Sequence, residues 1–359
     1  MKIIFTIIPL LYLASNGYLL WKVWQATTLP LWCKIIICVI LSLAAFSLFM
    51  AIGLRGADIP HPMLKAMFNI GSIWMVFMFY MVLLLLVFDI VGIFAPVRKY
   101  SFALCLAVTT VTLICGYINY RHPKVEHIDI NLAKSQNTQS LRIVAISDIH
   151  LGYGTSAARL KGYVDMINAQ KPDVVVIAGD LIDNSTRPLA SEPYAETLST
   201  LHATMGIYMT LGNHEYISGI DSCIKFIQST PIKLLRDSSI TLPSGLQIIG
   251  RDDRSNRHRK SLQELLNSAN KDNPIVLVDH QPYELEKADS LEVELQIYGH
   301  THRGQIWPLN LLTDHLYSQS HGYRHWSHSH TIVSSGLSLW GPPFRIGTRS
   351  DMYVIDIKW

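Results

Sequence analysis

VVVIAGD, residues 174–180, is the stretch whose reading decides the fold. Four of its first five residues are β-branched, which suits a strand. The run shows no polar alternation, so both of its faces must be buried, as in a parallel sheet covered on each side. It stops at Gly179 and Asp180. Glycine lets backbone approach closely there, and the aspartate follows directly at the strand end. The same design recurs outward from this stretch. Strands are expected at 141–146, 207–211, 275–278 and 295–298, with further ones at 247–250, 331–334 and 352–357. Ser156 is expected to cap a helix running to about residue 170, and 219–229 and 261–269 read as helical. Strands alternating with helices predict a layered α/β fold.

The strand ends carry the chemistry. Residues 141–146 run into Asp148 and His150, and 207–211 run into Gly212, Asn213 and His214. His280 follows 275–278, while His300 and His302 follow 295–298. Open α/β sheets place their ligands at the carboxyl ends of strands. Carboxylates, imidazoles and a side-chain amide are donors suited to Mn, Fe, Zn and similar ions. Asp180 has two carboxylate oxygens and can serve two ions at once. Two ions about 3.5–4 Å apart can bind both the attacking and the leaving oxygen of a phosphate. A lone histidine is usually an ordinary one, and an aspartate after a strand is often a helix cap. Five such motifs in series point to one site.

Asp-Ile-His at 148–150, Gly-Asp at 179–180, Gly-Asn-His-Glu at 212–215, His280 and Gly-His-Thr-His at 299–302 resemble, in order, the motifs of the calcineurin-like metallophosphoesterases. The resemblance covers residues 141 to about 357. GHTHRGQIWP at 299–308 and SSGLSLWGPPFRIGTR at 334–349 narrow it to a bacterial subgroup with N-terminal membrane segments. That subgroup includes phosphodiesterases and enzymes that hydrolyse UDP-2,3-diacylglucosamine. The resemblance implies a four-layer α/β sandwich and two divalent ions, with Mn favoured and Fe, Zn, Mg or Ni the other fits. It assigns Asp148, His150, Asp180 and His302 to one ion and Asp180, Asn213, His280 and His300 to the other. It places His214 beside the phosphate as an acid for the leaving oxygen, oriented by Asp183. Two departures stand out. Asn184 occupies the position where protein phosphatases of the family carry an arginine that grips a monoester, so a diester or pyrophosphate is favoured. Glu215 stands where the subgroup usually has aspartate, with little consequence expected.

The first third of the chain is different. Four uncharged runs, at 3–21, 35–54, 66–88 and 100–120, each end in charge. About 20 apolar residues cross a bilayer core as a helix. Trp21, Trp24, Trp32, Tyr100 and Tyr120 lie near the ends, as interface-seeking aromatics do. Four membrane spans are therefore expected, forming an N-terminal helical bundle over 1–121. A linker at 122–140, with a polar stretch at 134–140, and a catalytic domain at 141–359 complete the expected order. The first run lacks the cleavage site of a signal peptide. Lys2, Arg55, Lys65, Arg121 and Lys124 fall on one side against Lys22, Lys34, Arg98 and Lys99 on the other. This narrow excess leans towards a cytoplasmic catalytic domain at a bacterial inner membrane.

Residues 1–121 hold eight basic and two acidic side chains, so the overall net charge of +3 conceals an acidic remainder. That remainder offers no basic stripe for nucleic acid. Cys223 is the only cysteine in the polar part, which suits a reducing compartment. The charged loop at 251–260 reads as a solvated loop or a phosphate or headgroup contact. Residues 307–345 concentrate aromatics and histidines without regular ligand spacing, and read as a loop near the site. Arg345 and Arg349 are candidates to face an anionic substrate. The expected activity is hydrolysis of a phosphodiester or pyrophosphate, with the lipid bilayer and a phosphorylated or nucleotide-linked lipid as partners. A nuclease or cyclic-nucleotide phosphodiesterase, or a membrane sensor retaining structural metals, are the competing readings.

Overall fold

The computed structural model describes residues 2–95, 98–132 and 139–359. It divides into two units, Met1–Ile118 with Gly341–Phe344, and Asn119–Trp340 with Arg345–Trp359. The first contains helices α1 (Lys2–Ala26), α2 (Leu31–Gly53), α3 (His61–Val91) and most of α4 (Arg98–Arg121). Among the described residues, three helical stretches are long and apolar enough to cross a membrane: Leu31–Gly53, His61–Val91 and Tyr100–Arg121. The run at 3–21 lies in helix α1, which is not among the three. Helix α1 carries Asn16, whose buried amide oxygen accepts a 2.8 Å hydrogen bond from Trp74 Nε1. Lys22 on α1 meets Asp89 on α3 at 2.5 Å, and Tyr18 donates to the same carboxylate at 2.7 Å. Two of the end charges read from the sequence thus pair with each other across helices.

In the second unit the chain forms β1 (Lys124–Asn131), β2 (Ser140–Ile146), α5 (Ala157–Asn168), β3 (Val174–Ala178), α6 (Tyr194–Leu198) and β4 (Ile207–Thr210). It continues through α7 (Asn213–Ser218), α8 (Ile220–Gln228), β5 (Ile232–Leu234), β6 (Ser238–Thr241) and β7 (Gln247–Gly250). Then come α9 (Leu262–Leu266), β8 (Ile275–Val278), α10 (Leu285–Ser290), β9 (Leu295–Tyr298), α11 (Leu309–Leu316), β10 (Gly322–His325), β11 (His330–Val333) and β12 (Asp351–Lys358). Two six-stranded sheets result, ordered β1-β12-β2-β3-β4-β5 and β10-β11-β9-β8-β7-β6.

The alternation along β3 shows why its sequence has no polar face. Val174, Val176 and Ala178 pack in a core with Val276, Val278, Leu295 and Ile297 of the other sheet. Val175 and Ile177 point the other way and pack with Leu160, Val164 and Ile167 of α5. Beyond the second sheet, Ile249, Ile275 and Leu277 pack with Leu262, Leu265 and Leu266 of α9 and Ala288 of α10. The layers are therefore helix, sheet, sheet, helix. Each fully buried valine or isoleucine contributes roughly 1.5–3 kcal/mol.

Strands β2 to β5 pair in parallel, as do β7, β8, β9 and β11, so their carboxyl ends emerge on common edges. The expected strands all form, within a residue or two. The expected linker at 122–140 needs correction. Lys124–Asn131 is strand β1, in parallel register with β12 from Lys124–Asp351 to Asn131–Lys358. Its sequence, KVEHIDIN, alternates half-buried and exposed positions, as an edge strand does. The polar stretch beyond it lies, over 133–138, outside the described residues.

Candidate metal centre

Five strand ends bring the expected donors together. Asp148 and His150 follow β2, Asp180 follows β3, Asn213 opens α7 after β4, His280 follows β8, and His300 and His302 follow β9. Ligating atoms of Asp148, His150 and His302 all lie within 4.8 Å of one another, as do those of Asp180, His280 and His300. Asn213 Oδ1 stands 3.1 Å from His280 Nε2, and Asp180 Oδ2 stands 3.1 Å from that same nitrogen. His150 Nε2 lies 3.8 Å from Asp180 Oδ2, so Asp180 adjoins both groups.

These atoms suit cations better than each other. His280 Nδ1 faces the Ala178 carbonyl at 2.8 Å, which places the ring proton there and leaves the Nε2 lone pair directed at two acceptor oxygens. His150 Nε2 and His302 Nε2 face one another at 3.1 Å. Asp148 Oδ1 is buried without any hydrogen-bond donor. Donors about 2.1 Å from one ion in octahedral geometry would stand about 3 Å apart, close to the 3.1 Å of the Asp180–His280, Asn213–His280 and His150–His302 pairs. The residues present therefore fit two divalent ions.

Without cations the carboxylates draw protons onto the imidazoles. Burial opposes charge on His150, but Asp148 and Asp183 outweigh it and raise it to about 10. His280 is likewise raised despite burial, by Asp180. Burial and neighbouring His280 push His300 down to about 4. His302 is lowered too, chiefly by burial. Asp148 and Asp180 stay below the usual carboxylate range because facing imidazoles overcome the cost of burial. A bound cation would take over that neutralising role.

The backbone around the donors is strained. Asp148, His150, Asp180, His300 and His302 all have φ between 46° and 73°. Such conformations cost non-glycine residues of order 1 kcal/mol each and persist only where surroundings over-determine them. Close approach explains the neighbouring glycines: a Cβ on Gly212 would run into the Asp180 carboxylate, and one on Gly299 into Asp148.

Two supporting side chains carried no strong sequence signal. Glu215 is fully buried. Its carboxylate accepts from Asp180 N at 3.1 Å, Gly212 N at 2.8 Å and Ile182 N at 2.9 Å, clamping the loop after β3 to the loop after β4. Burial and the Asp180 charge push it up to about 7, against the pull of those amides. The departure from aspartate keeps a carboxylate here, and that carboxylate makes three backbone anchors. Arg345 is only 1% exposed and does not face substrate. It donates to the carbonyls of His302 at 2.6 Å and Gly336 at 3.2 Å, and to that of Ser335, tying the loop after β9 to the loop after β11. Burial pushes its guanidinium down to about 10.

His214 adjoins the donors. Its Nδ1 lies 3.2 Å from Asp183 Oδ1, and the same oxygen lies 3.5 Å from His150 Nδ1. Facing imidazoles hold Asp183 below the usual range despite burial. Asp183 thus adjoins both His214 and His150, although neither ring's Nδ1 has a hydrogen-bond partner. Asn184 donates to Asp183 at 3.0 Å. Trp340 stands 6.2 Å from the His214 ring, and Tyr317 stands 6.5 Å from that of His300. The 307–345 segment therefore does border the site. Its histidines form none of the grouped donor sets among the described residues: His325 stacks on His330 at 4.3 Å. In the 251–260 loop, Arg251 pairs with Glu284 at 2.7 Å and Arg259 with Asp279 at 3.2 Å, both acids lying outside the loop. Arg349 is exposed and lines a separate cavity.

Residues 141–304 match the family model for calcineurin-like phosphoesterases. A transmembrane protein with a metallophosphoesterase domain from Danio rerio is 32% identical over 273 residues, covering 71% of this chain and 62% of that protein. An uncharacterized metallophosphoesterase from Campylobacter jejuni is 31% identical over 270 residues, covering 73% of this chain and 71% of its own length. A UDP-2,3-diacylglucosamine pyrophosphatase from Chlamydia trachomatis is 25% identical over 273 residues, covering 60% and 82%.

Two outcomes follow from this geometry. Asp180→Asn removes charge next to both donor groups, so metal content and phosphoesterase activity should both collapse, further than in His150→Ala. Elemental analysis alongside turnover checks this, and full metal occupancy in Asp180→Asn would remove Asp180 from its shared position. Glu215→Ala strands three buried amides and should lower stability by about 2–4 kcal/mol, with weaker Mn binding although Glu215 touches no ion. Melting with and without Mn measures both, and an unchanged melting curve would mean that the clamp is idle.

Proposed function

The chain belongs to the calcineurin-like metallophosphoesterase family, and from that premise we propose that it hydrolyses a phosphodiester or pyrophosphate in a membrane-borne amphiphile. The observation that carries the hydrolytic reading is the convergence of two donor groups on Asp180 with His214 beside them. Asp148, His150, Asp180 and His302 would hold one divalent ion, and Asp180, Asn213, His280 and His300 the other, with Mn the favoured metal. When bound, such a pair polarises a phosphate and makes water nucleophilic at neutral pH. His214 then delivers a proton to the departing oxygen. Asp183 holds its ring in position and stabilises the protonated form. Asn184 supplies a neutral amide where a monoester-gripping arginine would stand, which favours a substrate with a singly charged phosphoryl oxygen pair.

The lipid part of the proposal rests on three features. The chain carries candidate membrane helices, and a single helix suffices as a tether. We assign helix α1 as a fourth span of that bundle, since Lys22 and Asp89 pair across it and α3. Trp340 and Tyr317 stand beside His214 and His300. The Chlamydia relative bears the name of an enzyme acting on UDP-2,3-diacylglucosamine, which is the best single substrate for this chain. The catalytic unit is assigned to the cytoplasmic face of a bacterial inner membrane.

If His214 is the acid, His214→Asn should retain both ions and slow turnover by about 10²–10⁴-fold. The defect should shrink for leaving groups acidic enough to depart unprotonated. A uniform defect across a leaving-group series, or loss of metal, would move His214 to another role. For the substrate, the purified full chain in detergent should cleave UDP-2,3-diacylglucosamine far faster than the same headgroup without acyl chains. Equal rates would leave a general phosphodiesterase, and no cleavage of bis-p-nitrophenyl phosphate with Mn would leave a non-catalytic metal protein.

A further inference from the structure

A second polar site lies away from the metal donors. A cavity of about 580 Å³ is lined by Asn119, Lys124, Arg303, His321, Arg349 and Asp351, among others. Its charges do not cancel. Lys124 is paired with Glu126, which also lines the cavity, at 2.6 Å. Asp351 is buried, and its oxygens are taken by Ser334 Oγ at 2.6 Å and Ser335 N at 3.0 Å. Asp314, 3.7 Å from His321, is that ring's nearest acid. Among the described residues, Arg303 and Arg349 have no carboxylate within ion-pair distance. The Arg303 Nε is moreover buried without a hydrogen-bond acceptor. A guanidinium with a buried, unfilled N–H, in one cavity with a second guanidinium that has no ion pair among the described residues, suits an anion.

The position of the cavity says which anion. Asn119, in its wall, belongs to the stretch Tyr100–Arg121, one of the three long enough to cross a membrane. Lys124, also in the wall, follows the end of that stretch by three residues. Where such a helix ends, the headgroups of the leaflet begin. An apolar surface adjoins the same wall. Gly347 lines the cavity and packs on Trp307, whose N–H donates to the Ile346 carbonyl at 2.7 Å. Trp307 is 48% exposed. Helix α11 follows it at once, with Leu309, Leu312 and Leu316 exposed at i, i+3 and i+7. A basic recess flanked by an exposed tryptophan and a leucine stripe is the composition of a surface that lies in a lipid interface.

We propose that this cavity binds the phosphate of an anionic phospholipid headgroup, with Arg303 and Arg349 as its fork and the Trp307–Leu316 face resting among the neighbouring acyl chains. The site is distinct from the metal centre and stands whether or not the hydrolysed substrate is a lipid. It joins the catalytic unit to the leaflet through a second contact beyond the membrane helices. Arg303 directly follows His302, so the lipid also steadies the loop that carries a metal donor.

Native mass spectrometry of the full chain released from detergent tests this with defined lipids. Phosphatidylglycerol and phosphatidylcholine of identical acyl chains are offered separately. The wild-type chain should retain one phosphatidylglycerol per chain that resists stripping, and no matching phosphatidylcholine. Arg303→Gln with Arg349→Gln should weaken that retention by about tenfold or more, the loss expected for two charge-assisted contacts. Arg349→Gln alone should weaken it partly while turnover of bis-p-nitrophenyl phosphate stays at the wild-type level, which shows an intact fold, and Arg349→Lys should restore part of the loss. Equal retention of the two lipids, or of phosphatidylglycerol by wild type and variants, overturns the proposal. Displacement of the lipid by millimolar inorganic phosphate also overturns it, because the site would then be one for a soluble anion.

Discussion

Lone pairs that have nowhere else to go govern this molecule. Asp148, Asp180 and His280 are each no more than 1% exposed, and although Asp180 Oδ1 and Asp148 Oδ2 accept from backbone N–H groups, Asp180 Oδ2 faces His280 Nε2 and Asp148 Oδ1 lacks a hydrogen-bond donor. Burying carboxylates together is costly unless cations or protons intervene. In their absence the imidazoles take up protons; with divalent ions the same atoms become ligands. The strain in five left-handed backbone positions, and the glycines that let chains touch at Gly212 and Gly299, all serve to hold those lone pairs in convergence. A fold that can maintain such an arrangement must be rigid elsewhere, and here that rigidity comes from β3, covered on both faces.

Rigid strands deliver the donors, but loops must then be locked to one another. Glu215 and Arg345 do this with opposite charges and the same logic. Each is buried and spends its hydrogen-bonding capacity on backbone groups of two different loops. A charged group held by several backbone partners is stronger than a neutral one, and removing it leaves all of those partners unpaired. Such residues act on the site without touching its ions. Asp183 works at closer range, with one oxygen serving both His150 and His214, so that a metal donor and the proposed acid share an orienting group.

The membrane part obeys a different solvent. Its helices leave large apolar side chains exposed, such as Leu43, Ile90 and Val111, which only lipid would accept. Some polar groups among them are paired, as Asn16 with Trp74 and Lys22 with Asp89. In the catalytic unit, five of the nine large apolar side chains exposed among the described residues fall within 307–316. Apolar surface gathered on one short helix, next to unpaired guanidinium groups, marks the face of that unit made for an interface.

What the sequence by itself determined is local and periodic. Uninterrupted β-branched runs define strands buried on both faces, long uncharged runs define candidate membrane helices, and a donor at each strand end defines the chemistry, because these signals are written in adjacent residues. The seven proposed metal donors stand at such strand ends, while the roles proposed for His214 and Asp183 came from the family resemblance. The tertiary structure decided the rest. Strand β1 reads as a linker because its edge position leaves only a faint alternation, and its partner β12 lies more than two hundred residues away. Arg345 reads as a substrate contact, and the anchoring role of Glu215 goes unread. Their partners are backbone carbonyls and amides, which every residue possesses and no pattern marks. Which lone pairs face each other is likewise set by strand order and register. Those are properties of long-range packing, and packing alone turns a list of donors into a site.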